Sequence, residues 1–125
     1  MSDWWVAPHP GSEAALLLGF AKVILDEGLE DRSFLQEWTN WEAWLEARHP
    51  KANQNFETFM YLLRKDYSEW TPDRVAKECG ISAQNVVEIG RAIGEAKGAF
   101  ASHVWRSAAS GNRGGWQVSR CLKFL

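Results

Sequence analysis

The chain has 125 residues, a length typical of one domain, so we predict a single domain spanning residues 1–125. Apolar residues make up 46% and charged residues 24% of it, a balance typical of folded rather than disordered proteins. A formal net charge of −2 excludes the broad positive field that holds nucleic acid or an anionic membrane. Any bound anion must therefore be met by local groups, and we predict neither a nucleic-acid partner nor membrane contact.

The first predicted elements are a short strand and a long apolar helix. Residues 4–6 favour a strand, which the two prolines that follow would end. Ser12 is placed as an N-cap, and residues 14–27 predict a helix that Gly28 ends. This helix is apolar on most of its circumference, so we expect neighbours on several sides of it. Its longest apolar run is about half the length that spans a bilayer, which predicts a core helix rather than an anchor.

Three shorter helices are predicted next, over residues 31–38, 40–48 and 55–67, each behind an Asp or Asn cap. We interpret residues 40–67 as a helical insert. Four aromatic residues are spaced three or four positions apart, which predicts that their side chains pack together in one seam. They are Phe34, Trp38, Trp41 and Trp44.

A pair of helices follows the insert. Thr71 and Pro72 form a start signal, a capping hydroxyl before proline at the first helical position, and Gly80 is a stop signal. Ser82 caps the second helix of the pair, which Gly98 ends. We therefore predict two helices joined by a tight glycine turn.

The end of the chain predicts a second strand and a last helix. Residues 99–105 read as a buried strand, and a glycine-rich loop then leads into a helix from about Trp116. Strands alternating with helices are typical of a parallel sheet with crossover helices. We therefore predict an α/β fold, a helix-rich three-layer fragment with a short parallel sheet.

Both predicted strand-to-helix turns should lie at the carboxyl edge of the sheet, where open α/β sheets bind ligands. Their glycines allow close backbone approach, and the helix N-termini present free amides to an anion, although such a turn also serves merely to reverse the chain. Glu13 can accept two donors from a guanine edge, or it can simply compensate the helix dipole. Arg113 can add a charge-assisted contact. The candidate cofactor-binding residues are Gly11, Ser12, Glu13, Gly111, Asn112, Arg113 and Gly114.

Several segments resemble one known family. Residues 5–16 read Trp-Val-Ala-Pro-His-Pro-Gly-Ser-Glu-Ala-Ala-Leu and resemble the Pro-Gly-Thr-Asp-Ala-Ala-Leu segment of molybdopterin oxidoreductases, the dimethyl sulfoxide reductase and formate dehydrogenase superfamily. Residues 24–35 resemble a segment of the family in which a helix is followed by glycine, leucine, an acidic residue and phenylalanine. Residues 70–93 are similar to its Tyr-Thr-Pro-Glu and Thr-Gly-Val helix pair. The carboxyl end resembles the strand and glycine loop before the helix that contacts the pterin.

The resemblance implies a fragment of the large catalytic subunit, part of a Rossmann- or flavodoxin-like domain that grips bis-molybdopterin guanine dinucleotide with Mo or W. Ser12 and Glu13 match the Thr-Asp pair at the guanosine end, with Glu one methylene longer than the usual Asp. Gly111, Asn112 and Gly114 match the loop near the pterin.

The resemblance also implies what this segment does not carry. The family's cysteine motif for an iron–sulfur cluster is absent here, so a cluster, the metal's protein ligand and the catalytic residues would belong to the rest of the parent protein. The expected partners are the remainder of the catalytic subunit and an electron-transfer subunit. The cytoplasm and the periplasm stay equally open.

Two alternatives arise from the residues themselves. Residues 75–89 have the spacing of a helix-turn-helix DNA reader, within a predicted helix pair over residues 71–96, although any tightly packed helix pair needs the same small and apolar residues. The acidic balance of the chain argues against phosphate contacts. Eight tryptophans also fit a protein-interaction module.

The cysteines and histidines carry no metal-site spacing. Cys79 and Cys121 are predicted to be buried free thiols, because neither stands in a CxxC motif or beside a histidine. His9 and His103 are read either as donors beside the cofactor or as satisfied loop and strand-end residues.

Overall fold

A computed structural model of the chain describes residues 4–103, 114–123 and 125. Seven α-helices occur within these residues, and no strand does. In chain order they are α1 (Glu13–Glu27), α2 (Arg32–Trp38), α3 (Trp41–Arg48), α4 (Phe56–Asp66), α5 (Pro72–Cys79), α6 (Ala83–Glu95) and α7 (Gly115–Leu122). No helix in the described part of the chain is long and apolar enough to cross a membrane.

The predicted α/β fold with a short parallel sheet is wrong, and the Rossmann- or flavodoxin-like domain is wrong with it. Residues 4–9 form no ladder; the His9 amide instead donates to the carbonyl of Cys79 at the end of α5, 2.8 Å away. Residues 99–103, the described part of the second predicted strand, are exposed and irregular. Local β propensity produces a strand only where a partner strand and a buried face exist, and neither segment has them among the described residues.

Helix α1 is the centre of the fold, as its apolar circumference predicted. It packs against α5, α6 and α7 and touches α4. Its buried residues point to more than one side, so that Ala15 and Phe20 belong to a core with Val75 and Val86, whereas Leu25 belongs to a second core. A helix apolar all round is stable only with such cover on several faces.

Two glycines let α1 approach its neighbours closely. A Cβ added at Gly19 would lie 2.9 Å from Cγ2 of Val75, and one added at Gly90 would lie 3.0 Å from Cβ of Val23. At Gly90 the added atom would also meet the backbone of Phe20 at 3.3 Å, which cannot swing aside as a side-chain tip can. The crossing of α1 and α6 therefore depends on the absence of a side chain at residue 90.

The second core lies between α3 and α4, where Leu45 and Met60 are fully buried. Trp41 and Trp44 pack their rings against Phe56 and Phe59, with centroids 5.5–6.2 Å apart. The predicted four-residue aromatic seam is wrong for its first two residues. Phe34 is 56% exposed and Trp38 is 75% exposed. The extended backbone at Thr39 separates α2 from α3, so the helical spacing does not carry across residues 38–41.

Most predicted helix ends are confirmed. Gly28 and Gly80 end α1 and α5 in the left-handed conformation, both with positive φ. At four helix starts, the side chain of the N-cap residue accepts a hydrogen bond from the amide three positions further along the chain. The capping residues are Asp31, Asn55, Thr71 and Ser82. Asn40 stands at the predicted position before α3 but makes no side-chain cap bond.

An exposed ion pair fastens the end of α1 to α6. Arg91 donates through Nε and Nη2 to the two carboxylate oxygens of Glu27, at 2.8 and 2.7 Å. This hydrogen bonding is the main cause that holds the pKa of Glu27 below its ordinary value. Because the folded-state pKa is lowered, the pair stabilises the fold above the pKa of the unfolded chain and is lost as pH falls through the folded pKa.

We predict that Gly90→Val lowers the free energy of unfolding by about 1–3 kcal/mol, because the new side chain must displace the backbone of α1. Urea denaturation measures the change. Gln84→Val, at an exposed position of the same helix, controls for the helix propensity of valine. Equal losses at both positions would contradict the close-packing account.

We also predict that the cost of Arg91→Ala depends on pH. The difference in free energy of unfolding from the unsubstituted chain should be largest at neutral pH and should shrink below pH 4.5, the ordinary pKa of Glu27. In a Glu27→Gln background, where residue 27 carries no charge, the same substitution should show much less pH dependence. A cost that stays constant from pH 7 to pH 3 would argue against the pair.

Candidate functional site

The first predicted turn, residues 9–13, is a tight reversal that leads directly into α1. The amide and the hydroxyl of Ser12 both donate to the carbonyl of His9, at 3.1 and 2.7 Å. Gly11 has φ of +90°, and nothing described lies within 4 Å of a Cβ added there, so glycine is needed for backbone conformation rather than for room. The turn places Gly11, Ser12 and Glu13, three of the predicted site residues, at the N-terminus of α1.

Ser12 holds the predicted N-cap position but does not act as a side-chain cap. Its hydroxyl is used within the turn, and it makes no side-chain cap bond to the first turn of α1. The first amides of a helix have no partner within the helix, and they form the positive end of its dipole. The Ser12 side chain therefore does not use the donors that a conventional serine cap would partly occupy.

Glu13 begins α1 at this end. Its Oε2 atom is buried and has no hydrogen-bond partner within the described structure. A buried carboxylate oxygen without a donor is costly, although the helix dipole offsets part of that cost. The arrangement provides an acceptor that is already desolvated and directed by the fold.

A buried thiol lies under the turn. Cys79 is fully buried, and its Sγ donates to the carbonyl of Ser12 at 3.5 Å. Burial raises the pKa of the Cys79 thiol, an interaction with the Ser12 side chain lowers it, and the negative charges of Glu78 and Glu13 raise it further. The thiol is therefore protonated at neutral pH and serves as a donor. The prediction of a buried free thiol is confirmed for Cys79, whereas Cys121 is free but only partly buried.

His9 joins the turn to the end of α5, a role that the sequence did not indicate. Its amide bonds to the carbonyl of Cys79, and Nδ1 lies 3.2 Å from the carbonyl oxygen of Glu78. A carbonyl only accepts, so Nδ1 carries the proton. Glu78 lies 69 positions further along the chain, and no spacing within residues 5–16 could have indicated it.

The second predicted turn is described only at its end. Gly111, Asn112 and Arg113 lie outside the described residues. Gly114 precedes α7, and its carbonyl accepts the amides of Gln117 and Val118 at 3.0 and 3.2 Å. The predicted last helix is confirmed, beginning at Gly115 and packing against α1.

A cleft of about 810 Å³ lies elsewhere, beside the carboxyl ends of α1, α6 and α7, and the first turn does not line it. Its lining includes Glu30, whose side chain is 5% exposed. Oε1 of Glu30 accepts from Arg64 at 2.7 Å, and Oε2 has no partner in the described structure. Arg64 also donates to the carbonyl of Leu25 at 2.9 Å, so this partly exposed arginine connects α4 to α1.

The contacts of α6 give the nucleic-acid alternative no support. Arg91 is engaged by Glu27, and the side-chain amide of Gln84 donates to Glu88 at 2.7 Å. The inner face of α6 buries Val86 and Gly90. Among residues 4–103, 114–123 and 125, no group of three or more His, Cys, Asp or Glu side chains is arranged to hold a metal ion.

Comparison with known proteins identifies relatives over almost the whole chain. It is 32% identical to the dimethyl sulfoxide reductase DmsA of Haemophilus influenzae over 98% of its length. It is 30% identical to a nitrate reductase of Symbiobacterium thermophilum over 84%, and 24% identical to a putative formate dehydrogenase of Bacillus subtilis over 99%. The chain spans only 15%, 12% and 11% of these relatives.

No protein-family model and no solved structure matches the chain. The family is therefore identified from the relatives themselves, and the three named above align with 84–99% of the chain. The chain belongs to the molybdopterin oxidoreductase family and corresponds to a small part of the length of its members.

Proposed function

We propose that this chain supplies one part of the grip on a bis-molybdopterin guanine dinucleotide, with Mo or W, in a larger oxidoreductase. The observation that supports it most is Oε2 of Glu13 at the N-terminus of α1, which is buried and has no hydrogen-bond partner among the described residues. When bound, the cofactor would supply two-electron redox chemistry at its metal. The residues of this chain would bind and orient it.

The residues of the first turn fit the guanosine end of such a group. The guanine edge carries neighbouring N–H donors, which match the two acceptor oxygens of a carboxylate. Gly11 has open space around it, so the backbone can be approached closely. The free amides at the start of α1 suit a phosphate. In this proposal Ser12 shapes the turn through its bond to His9, and Glu13 reads the base.

The second turn is proposed to contact the pterin end. Gly111, Asn112, Arg113 and Gly114 precede α7, whose N-cap residue is Gly114 and has no side chain to cap the first amides. Arg113 would add positive charge for the diphosphate. Catalytic residues, the metal's protein ligand and any iron–sulfur cluster would lie in the rest of the parent enzyme.

The partners proposed for this chain are the remainder of the catalytic subunit and an electron-transfer subunit. Large apolar side chains are exposed on the described surface, among them Trp5 at 83%, Trp38 and Trp116. Exposed aromatic groups of this size are typical of surfaces that another polypeptide covers. The tryptophan content thus supports contacts within a larger protein.

We predict that GMP and GDP bind the 125-residue chain and shift the amide resonances of Ser12, Glu13 and Gly114. Glu13→Gln should weaken GMP binding roughly ten- to a hundredfold, because a hydrogen bond to a charged group contributes about 1.5–3 kcal/mol. Nuclear magnetic resonance titration measures both the site and the affinity.

Two controls make this test specific. AMP lacks the guanine donor pair and should bind much more weakly than GMP, and Glu42→Gln, at an exposed carboxylate of α3, should leave GMP binding unchanged. Equal binding of GMP and AMP would contradict the proposed role of Glu13. So would a Glu13→Gln variant that binds GMP as tightly as the unsubstituted chain.

A further inference from the structure

We infer that His9 is a positioning residue that clamps the turn of residues 9–13 onto the carboxyl end of α5 and so fixes the direction of Glu13. The inference rests on the proposed function, since it names the residue that holds the proposed guanine-reading turn in place. His9 is not assigned a contact with the nucleotide. Its action is exerted through the backbone of the turn.

The clamp consists of bonds from both the backbone and the side chain of one residue. The His9 amide and Nδ1 hold the carbonyls of Cys79 and Glu78, at 2.8 and 3.2 Å. The carbonyl of His9 then accepts both donors of Ser12, the residue next to Glu13. The α5 end is thereby connected to the start of α1 through a continuous series of hydrogen bonds. Loss of the His9 side chain would remove one anchor of that series.

Gly80 makes room for the clamp. A Cβ at residue 80 would overlap the imidazole of His9, whose Cε1 would lie only 2.5 Å away. A histidine ring can swing aside, so a side chain at residue 80 would displace it and break the bond to Glu78. Gly80 therefore has two reasons to be glycine, its φ of +70° and the ring above it.

The chain contains a matched control for the backbone strain that a side chain causes at positive φ. Gly28 ends α1 with φ of +66°, almost the same conformation, but nothing lies within 4 Å of a Cβ added there. Gly28→Ala and Gly80→Ala therefore carry the same backbone strain. Only Gly80→Ala displaces His9.

Cys79 supplies a readout that needs no nucleotide. Its thiol is fully buried in the core and bonded to the Ser12 carbonyl, so a thiol reagent reaches it only when the structure around it opens, and the turn is part of that cover. A Cys121→Ser background removes the other free thiol. The rate of Cys79 labelling in the folded chain then reports the opening of the clamp.

The experiment measures Cys79 labelling and GMP affinity for four variants of the 125-residue chain. His9→Ala and Gly80→Ala should each speed labelling and weaken GMP binding by about tenfold, the effect of one lost hydrogen bond. Gly28→Ala should change neither beyond about twofold. His9→Asn should retain most of both properties, because its Nδ2 takes the place of the histidine Nδ1 donor. Circular dichroism checks that every variant is folded.

The outcomes separate this inference from the proposed function. The inference is overturned if His9→Ala labels and binds like the unsubstituted chain, or if Gly28→Ala opens the turn as much as Gly80→Ala. A chain that shows the expected labelling pattern but binds no GMP at all would refute the proposed function and reduce His9 to a structural role. GMP binding that weakens together with faster labelling supports both.

Discussion

Burial of α1 on several sides is the constraint on which the rest of the structure depends. The helix is apolar around most of its circumference, and its contacts with α5, α6 and α7 cover that surface. Such close cover requires small residues where helices cross, which Gly19 and Gly90 provide. Once α1 is fixed among these neighbours, its N-terminus has one position, beside the carboxyl end of α5.

That position explains the chemistry of the candidate site. The turn before α1 meets the end of α5, where the hydroxyl of Ser12 is used to shape the turn and makes no cap bond to the first amides of the helix. The Glu13 carboxylate is held at the same end, and within the described part of the chain its Oε2 atom is buried without a donor. A fold that spends stability on such a group commonly does so at a binding site. The physical role of the core is thus to present an acceptor and a helix N-terminus in a fixed direction.

The parts of this fold that the sequence predicted correctly are those decided within a few residues. Side-chain caps at Asp31, Asn55, Thr71 and Ser82 and the left-handed stops at Gly28 and Gly80 depend only on near neighbours. The two strand predictions were wrong because a strand requires a partner strand, which the propensity of a short segment does not supply. The clamp at His9 joins residues 69 positions apart, and the turn motif by itself gives no sign of it. The family could be recognised despite the wrong fold class, because the motif around Gly11, Ser12 and Glu13 lies in continuous sequence.

The most direct test of the account is a crystal structure of the chain with GDP bound. We expect the guanine edge within about 3 Å of the Glu13 carboxylate and the phosphates near the first amides of α1. The carbonyl of Ser12 should still be held by Cys79. Guanine bound instead in the cleft beside Glu30, or a Glu13 carboxylate paired with a protein side chain while GDP binds elsewhere, would contradict the account.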